Sequence, residues 1–516
     1  MSRTHYAPAL AAVYLDRETI QYLSTNLHSD LWKIFIQKIR DLFQNIPIHI
    51  LVSKEMKPEV TSLLADYSNI TLHDSLETEE DFLKTIAPIL PSSQFNDPDW
   101  DEVCLLYFKG ISPLADVSLM TKSWERHKRF FSQYSYSENL PEGIIPYILT
   151  REFLATLPDR LPTDVHAFFL KNINHYDVDI FYVPPDLRQY RFDFRLNGVR
   201  NADLVKKLLN INLQMTYEEI LPAVQKNPPM FRLAPTYIEW EIYKGCELEC
   251  IFCPRQLIDK SDEPIVLSYE KFRKVLENLN SEIKTPYTVC LGGNGEPLLH
   301  PQISKIIHDL LDSPHLKELI IETALYQNVN ELLTCIENLQ APLKNKLTII
   351  VNLSTLNSST YTKLYGKNIL NQVLQEIDRL KPLLPPSSLY VQMIKMLDVG
   401  EEVESFFTYF EKKDINVILQ KYNRFAGKLP ERRVSDLTPI HRDFCWHLNR
   451  DLVIDVSANV SICKQNQTEI LGNLLSDAYA SIWEKGHEYF SASLLGEHGK
   501  IPAPCLNCDE WYTFNA

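Results

Sequence analysis

Between Thr236 and Gln420, short apolar segments and amphipathic segments take turns, and this alternation limits the fold more than any other feature of the chain. Strand patterns fall at Thr236–Tyr243, Thr288–Gly292, Glu318–Thr323, Leu347–Leu353, Leu389–Met396 and Ile415–Gln420. Helical patterns at Tyr269–Leu279, Pro301–Asp312, Val329–Leu339, Ile369–Leu380 and Glu401–Glu411 separate them. Parallel strands need crossovers of about this length, and crossovers in one sheet share one hand. The expectation is six parallel strands in a partial or full (β/α)6 barrel, with chemistry at the carboxyl ends of the strands.

The segment before it alternates too: Ala11–Leu15, Ile48–Val52 and Val103–Phe108 read as strands, and Asp30–Phe43, Lys57–Ala65, Glu79–Ile89 and Ser118–Gln133 as helices. Leu31, Ile34, Phe35, Ile39 and Leu42 predict one apolar helix stripe packed on a sheet. The whole chain is therefore α/β. Proline- or charge-rich stretches at Lys226–Pro235 and Arg424–Pro439 suggest linkers. The expected division is 1–225, a linker at 226–235, the barrel at 236–424 and a small α+β extension at 425–516.

With 52 basic and 67 acidic residues the chain carries −15, a field that repels nucleic acid and anionic membrane. Its longest apolar runs, such as Ile349–Leu353, are strand-length, so no membrane helix is expected. The start, MSRTHYAPALAAVYLDRE, has too short an apolar core for a secretory signal, which predicts a cytoplasmic protein. Ten cysteines in 516 residues are too sparse for a disulfide framework. Cys104, Cys290 and Cys335 sit in apolar surroundings and read as core thiols; the other seven fall in patterned groups.

KGCELECIFCPRQ, Lys244–Gln256, directly follows the first barrel strand and holds Cys246, Cys250 and Cys253 in a C-x3-C-x2-C spacing. Three soft thiolates in one compact loop suit three corners of an iron–sulfur cubane whose fourth iron stays open. Zinc is the alternative, although no fourth Cys or His lies nearby. After the second strand comes LGGNGEPLLHP, Leu291–Pro301, whose glycines permit close backbone approach and whose Glu296 is either a ligand for an amino group or a helix cap.

This cysteine loop, with Phe252 before its last cysteine, resembles the cluster-binding loop of radical SAM enzymes, and Gly292, Gly293 and Glu296 match that superfamily's methionine-binding motif. The resemblance implies a [4Fe-4S] cluster, S-adenosylmethionine at its open iron, and a 5′-deoxyadenosyl radical that abstracts hydrogen from a substrate in the barrel. It implies adenine near Phe252, and ribose and cavity contacts from Asn352, Ser354 and Gln392 at the ends of the fourth and fifth strands, with Thr323 in a similar position. Turn formation is the alternative for each. Lys421, Tyr422 and Asn423 after the sixth strand either face the cavity or simply leave it.

A second constellation, Cys445, Cys463, Cys505 and Cys508, surrounds a hairpin at Leu452–Val456 and Val460–Cys463 and a helix through Trp483. It resembles the SPASM extension, with fewer cysteines than the full form. Four ligands fill one closed auxiliary [4Fe-4S] cluster, with zinc as the alternative. His441 and His447 read as surface or packing residues.

Val103–Phe108 with the residues after it, and Asp186–Leu209, resemble a sugar-nucleotide cytidylyltransferase, so the first domain is expected to be nucleotidyltransferase-like and Rossmann-like. YLDRETIQYL lacks that family's glycine-rich loop, and Gly110–Ile111 stands where a metal-binding Asp belongs, so activity is expected to be lost or altered. Asp116, Asp186 and Asp193 are either cation ligands or solvated acids. The combination of domains resembles the spiro-SPASM family. The expected function is a radical SAM oxidoreductase acting on a peptide or carbohydrate-linked substrate, with a ferredoxin or flavodoxin as reductant. The alternatives are a nucleotide-sugar-modifying radical enzyme and a non-catalytic iron–sulfur docking protein.

Overall fold

The computed structural model describes residues 7–74, 78–91, 103–161, 164–258, 263–435 and 444–511. The chain divides into two compact units, Met1–Asn227 and Pro228–Ala516. His441 lies outside the described residues.

The first unit is a seven-stranded sheet running Ile70–His73, Ile48–Leu51, Leu10–Val13, Cys104–Phe108, Tyr147–Thr150, Tyr134–Tyr136, Val178–Ile180. Its first four strands are parallel and the fifth is antiparallel to both neighbours, a Rossmann-like order with a mixed edge. The helix Ser29–Leu42 buries Leu31, Trp32, Phe35, Ile36 and Ile39. The stripe is rotated from the expected one, because Trp32 and Ile36 take the inner positions and leave Ile34 and Leu42 half-buried.

The three acids named as cation candidates in this unit are engaged separately. Asp116 caps the helix Val117–Phe130 through Leu119 N at 3.0 Å and accepts Tyr217 N at 2.9 Å. Asp186 is paired with Arg188, and Asp193 with Arg195 at 2.8 Å. Arg195 also packs on Gly110 and donates to the Lys109 carbonyl at 3.3 Å. A guanidinium therefore occupies the ground beside Gly110–Ile111, and Asp193 is neutralised from within the protein.

In the second unit all six expected parallel strands form: Tyr237–Trp240, Tyr287–Leu291, Leu316–Thr323, Leu347–Asn352, Leu389–Lys395 and Asn416–Lys421, each hydrogen-bonded to the next in chain order. Burial on both faces explains their near-continuous apolar character; Leu347–Val351 are all buried. The intervening helices present apolar stripes to them, as Leu370, Val373, Ile377 and Leu380 do on one helix. Cys104, Cys290 and Cys335 are buried, as core thiols should be.

The C-terminal hairpin joins this same sheet. Asp451–Ile454 pairs parallel with the first barrel strand, and Asn459–Cys463 and Asn466–Asn473 follow antiparallel, making nine strands. At the other edge, Lys421 on the sixth strand donates to the Asp509 carbonyl and pairs with Glu510 at 3.2 Å. The extension thus reaches both ends of the six-stranded array. Residues 226–235, expected as a linker, contain the helical turn Pro228–Phe231 and the buried Arg232. Its guanidinium donates to the Leu448 and Trp483 carbonyls and stacks 3.6 Å from the Trp483 ring.

Candidate functional site

At the carboxyl ends of the six strands, Cys246, Cys250 and Cys253 line one cavity together with Gly292, Gly293 and Glu296. The cysteine loop is held from behind. Glu249 N and Ile251 N donate to the Tyr365 and Leu364 carbonyls at 3.1 and 3.0 Å, and Phe252 meets Tyr365 edge-on at 5.3 Å. The helix Ser358–Tyr365 therefore sets the loop's position.

Backbone amides point at the sulfurs. Leu248 N lies 3.5 Å from Cys246 Sγ, and Arg255 N donates to Cys253. Burial nevertheless pushes all three thiols up, Cys250 most strongly because Cys253 and Cys246 lie beside it. Such thiols bind as thiolates only to a strongly electrophilic metal, so the soft donor set fits an iron–sulfur cluster. Among the described residues, no three His, Cys, Asp or Glu side chains close to single-ion distances. The sulfurs border the cavity without converging on a point.

The glycine turn is shaped by close approach. A Cβ on Gly295 would stand 1.9 Å from the Tyr243 carbonyl oxygen, and Gly293, at φ +96°, would put one 2.9 Å from Glu241. Glu296 is 3% exposed. It accepts Thr323 Oγ1 at 2.6 Å, Ala324 N at 2.8 Å and Leu298 N at 3.2 Å. Burial raises its pKa and these donors lower it, with burial prevailing. Glu296 thus caps the following turn, one of the two readings of its sequence position, and keeps one acceptor lobe of four.

Asn352 and Gln392 also line the cavity, as register partners joined by Gln392 Nε2 to Asn352 Oδ1 at 2.7 Å. Thr323, Lys421, Tyr422 and Asn423 are in the lining as well. Ser354 is not. It is buried, and its Oγ accepts from Tyr365 Oη at 3.2 Å and Ile394 N at 3.3 Å, so it secures strand ends.

Sequence reasoning missed Glu239, Glu322, Lys464 and Gln467, which complete the wall. Lys464 pairs with Glu239 at 3.4 Å, and Glu239 and Glu322 hold its ammonium charged. Gln467 Oε1 accepts Asn294 Nδ2 at 2.7 Å, tying the C-terminal extension to the glycine turn. The available signal was a carboxylate directly preceded by apolar residues within each of two strands, Glu239 in YIEW and Glu322 in LKELIIET.

Cys445, Cys463, Cys505 and Cys508 border a second pocket. Amides again reach the sulfurs, Gln465 N to Cys463 at 3.2 Å and Glu510 N to Cys508 at 3.3 Å. Burial pushes Cys463 up and Cys508 up to about 12. Of the two expected placements, surface or packing, His447 takes the second: it is 3% exposed, bonded to Asp451, and lines this pocket.

No protein-family model matches the chain. It is 25% identical over 354 residues to an uncharacterized protein of Treponema pallidum (strain Nichols), spanning 67% of this chain and 96% of that one. It is 30% identical over 187 residues to the GTP 3',8-cyclase of Clostridium acetobutylicum, spanning 35% of this chain and 54%, about half, of the cyclase. Among solved structures, anSMEcpe with bound AdoMet and Cp18Cys peptide aligns with a TM-score of 0.40 at 13% identity, covering 53% of this chain and 86% of that one.

Proposed function

We propose that this chain is a radical SAM oxidoreductase that reductively cleaves S-adenosylmethionine and abstracts hydrogen from a peptide or carbohydrate-linked substrate. One observation carries the reading: the sulfurs of Cys246, Cys250 and Cys253 and the Gly292–Glu296 turn border one cavity at the carboxyl ends of parallel strands. The likeness to an enzyme, the GTP 3',8-cyclase, supports catalysis over a docking role.

A [4Fe-4S] cluster with one open iron supplies, when bound, the electron that splits S-adenosylmethionine into methionine and a 5′-deoxyadenosyl radical. The three cysteines hold it. Gly292 and Gly293 present backbone to the cavity where the methionine end would lie, and the free lobe of Glu296 accepts an ammonium hydrogen. Phe252 lies beside the adenine. The hydrogen-bonded Asn352 and Gln392 pair meets the ribose. Across the cavity, Glu239, Glu322 and Lys464 give the substrate a charged wall to orient against.

The four-cysteine pocket holds an auxiliary cluster that relays electrons from a ferredoxin or flavodoxin, in the cytoplasm. No helix among the described residues is long and apolar enough to cross a membrane. The test is turnover: anaerobically reconstituted, dithionite-reduced protein is expected to convert S-adenosylmethionine to 5′-deoxyadenosine. Protein that stays colourless and iron-free after reconstitution refutes the reading. Normal binding of S-adenosylmethionine without 5′-deoxyadenosine favours the docking protein.

A further inference from the structure

The pocket bordered by the four C-terminal cysteines has a polar lining besides its sulfurs. His447, Gln465 and Asn466 are 3%, 3% and 2% exposed, and all three face it. His447 Nε2, both ends of the Gln465 amide and Asn466 Nδ2 have no hydrogen-bond partner among the described residues. Two of the three side chains are fixed by their other ends. His447 Nδ1 donates to Asp451 Oδ2 at 2.5 Å, and Asn466 Oδ1 accepts the Thr468 hydroxyl at 2.8 Å. Asp451 is itself held by Arg450 Nε at 2.5 Å, so the imidazole is braced with Nε2 toward the pocket.

Buried polar atoms in folded proteins are almost always bonded. Two unpartnered amide donors, Gln465 Nε2 and Asn466 Nδ2, bordering one cysteine-lined pocket describe a shell for a ligand rich in acceptors. The cysteine sulfurs already receive backbone amides, from Gln465 and Glu510 among others, so the Gln465 and Asn466 side-chain amides are additional donors. A tetrahedral zinc ion presents only its thiolates. An iron–sulfur cluster adds bridging sulfides that also accept hydrogen bonds.

We propose that Gln465 and Asn466 form a donor shell around an anionic iron–sulfur cluster held by Cys445, Cys463, Cys505 and Cys508, and that this shell sets its reduction potential. The inference rests on the iron–sulfur reading of this pocket made above. One-electron reduction adds one negative charge to the cluster, and donors aimed at its sulfurs stabilise the reduced form more than the oxidised one. Removing a donor makes reduction harder.

The test uses the full chain carrying Cys246→Ala, Cys250→Ala and Cys253→Ala, reconstituted anaerobically with iron and sulfide. Only the C-terminal pocket then contributes a signal. Metal analysis is expected to find about four irons and no zinc. In redox titration followed by electron paramagnetic resonance, Gln465→Met and Asn466→Asp are each expected to shift the midpoint to more negative potential. A shift of about tenfold in the reduction equilibrium is 59 mV for one electron. Gln465→Glu, matched in size, repeats the measurement without opening a void. An intact cluster with the same midpoint in all three variants overturns the donor shell and leaves the cluster standing. Zinc, or no iron, in the triple cysteine variant overturns the cluster reading and the shell with it.

Discussion

Glu296→Gln tests whether the glycine turn is held by a carboxylate. In the native protein Oε1 accepts Thr323 Oγ1 and Leu298 N, and Oε2 accepts Ala324 N. Glutamine keeps one carbonyl oxygen, which can serve the first pair. Its amide then meets Ala324 N–H as donor against donor at a position only 3% exposed. Losing a hydrogen bond to a charged group costs about 1.5–3 kcal/mol, and a buried unpaired N–H a further 1–3 kcal/mol or so. Relief of the buried charge, which raises the native pKa, returns part of this, leaving a net loss of roughly 2–3 kcal/mol. For a unit the size of Pro228–Ala516 that is a fall in Tm of about 4–12 °C, read by calorimetry of the full chain against wild type. A change under about 1 °C would refute the clamp and show that the carboxylate is protonated or replaceable in the native turn.

Gly295→Ala drives a methyl group to 1.9 Å from the Tyr243 carbonyl, so its midpoint in urea should fall well below wild type, whereas Gly292→Ala, with 3.8 Å of clearance, should stay within about 1 kcal/mol. Glu241 is 5% exposed, and burial pushes its pKa up to about 7 from 4.5 despite the Asn294 N–H it accepts. Between those values the folded state binds more protons than the unfolded one, so stability declines as pH rises through that window, by up to roughly 3 kcal/mol, and levels off above it. Urea midpoints at pH 5 and pH 8 should therefore converge in Glu241→Gln; an unchanged difference sinks the assignment. Iron analysis of reconstituted wild type should give about eight irons per chain, with Cys253→Ala and Cys508→Ala each removing half; loss of all iron in either variant would mean the two sites are not independent.

Much of the second unit was legible in the residues alone. Runs such as Leu347–Val351 are apolar because both faces are covered, and a period of about 3.6 marks the helices that cover them, so the six strands stand within a few residues of their expected places. The cysteine loop was legible for a related reason: its ligands lie within eight residues, Cys246 to Cys253, and local spacing alone brings them to one cavity.

Contacts made across long chain separations were not legible. Pairing of Asp451–Ile454 with Tyr237–Trp240 joins segments about two hundred residues apart, and it carries Lys464 and Gln467 into the barrel cavity. Neither residue belongs to a local pattern, so only the strand pairing reveals them. His447 looks like any polar residue on a short helix until Asp451 and the cysteines enclose it. The placements of Ser354, expected at the cavity, and of the segment around Arg232, expected as a linker, differ for the same reason: sequence period records which face is apolar, while the partner of a buried polar group is chosen by packing between distant segments.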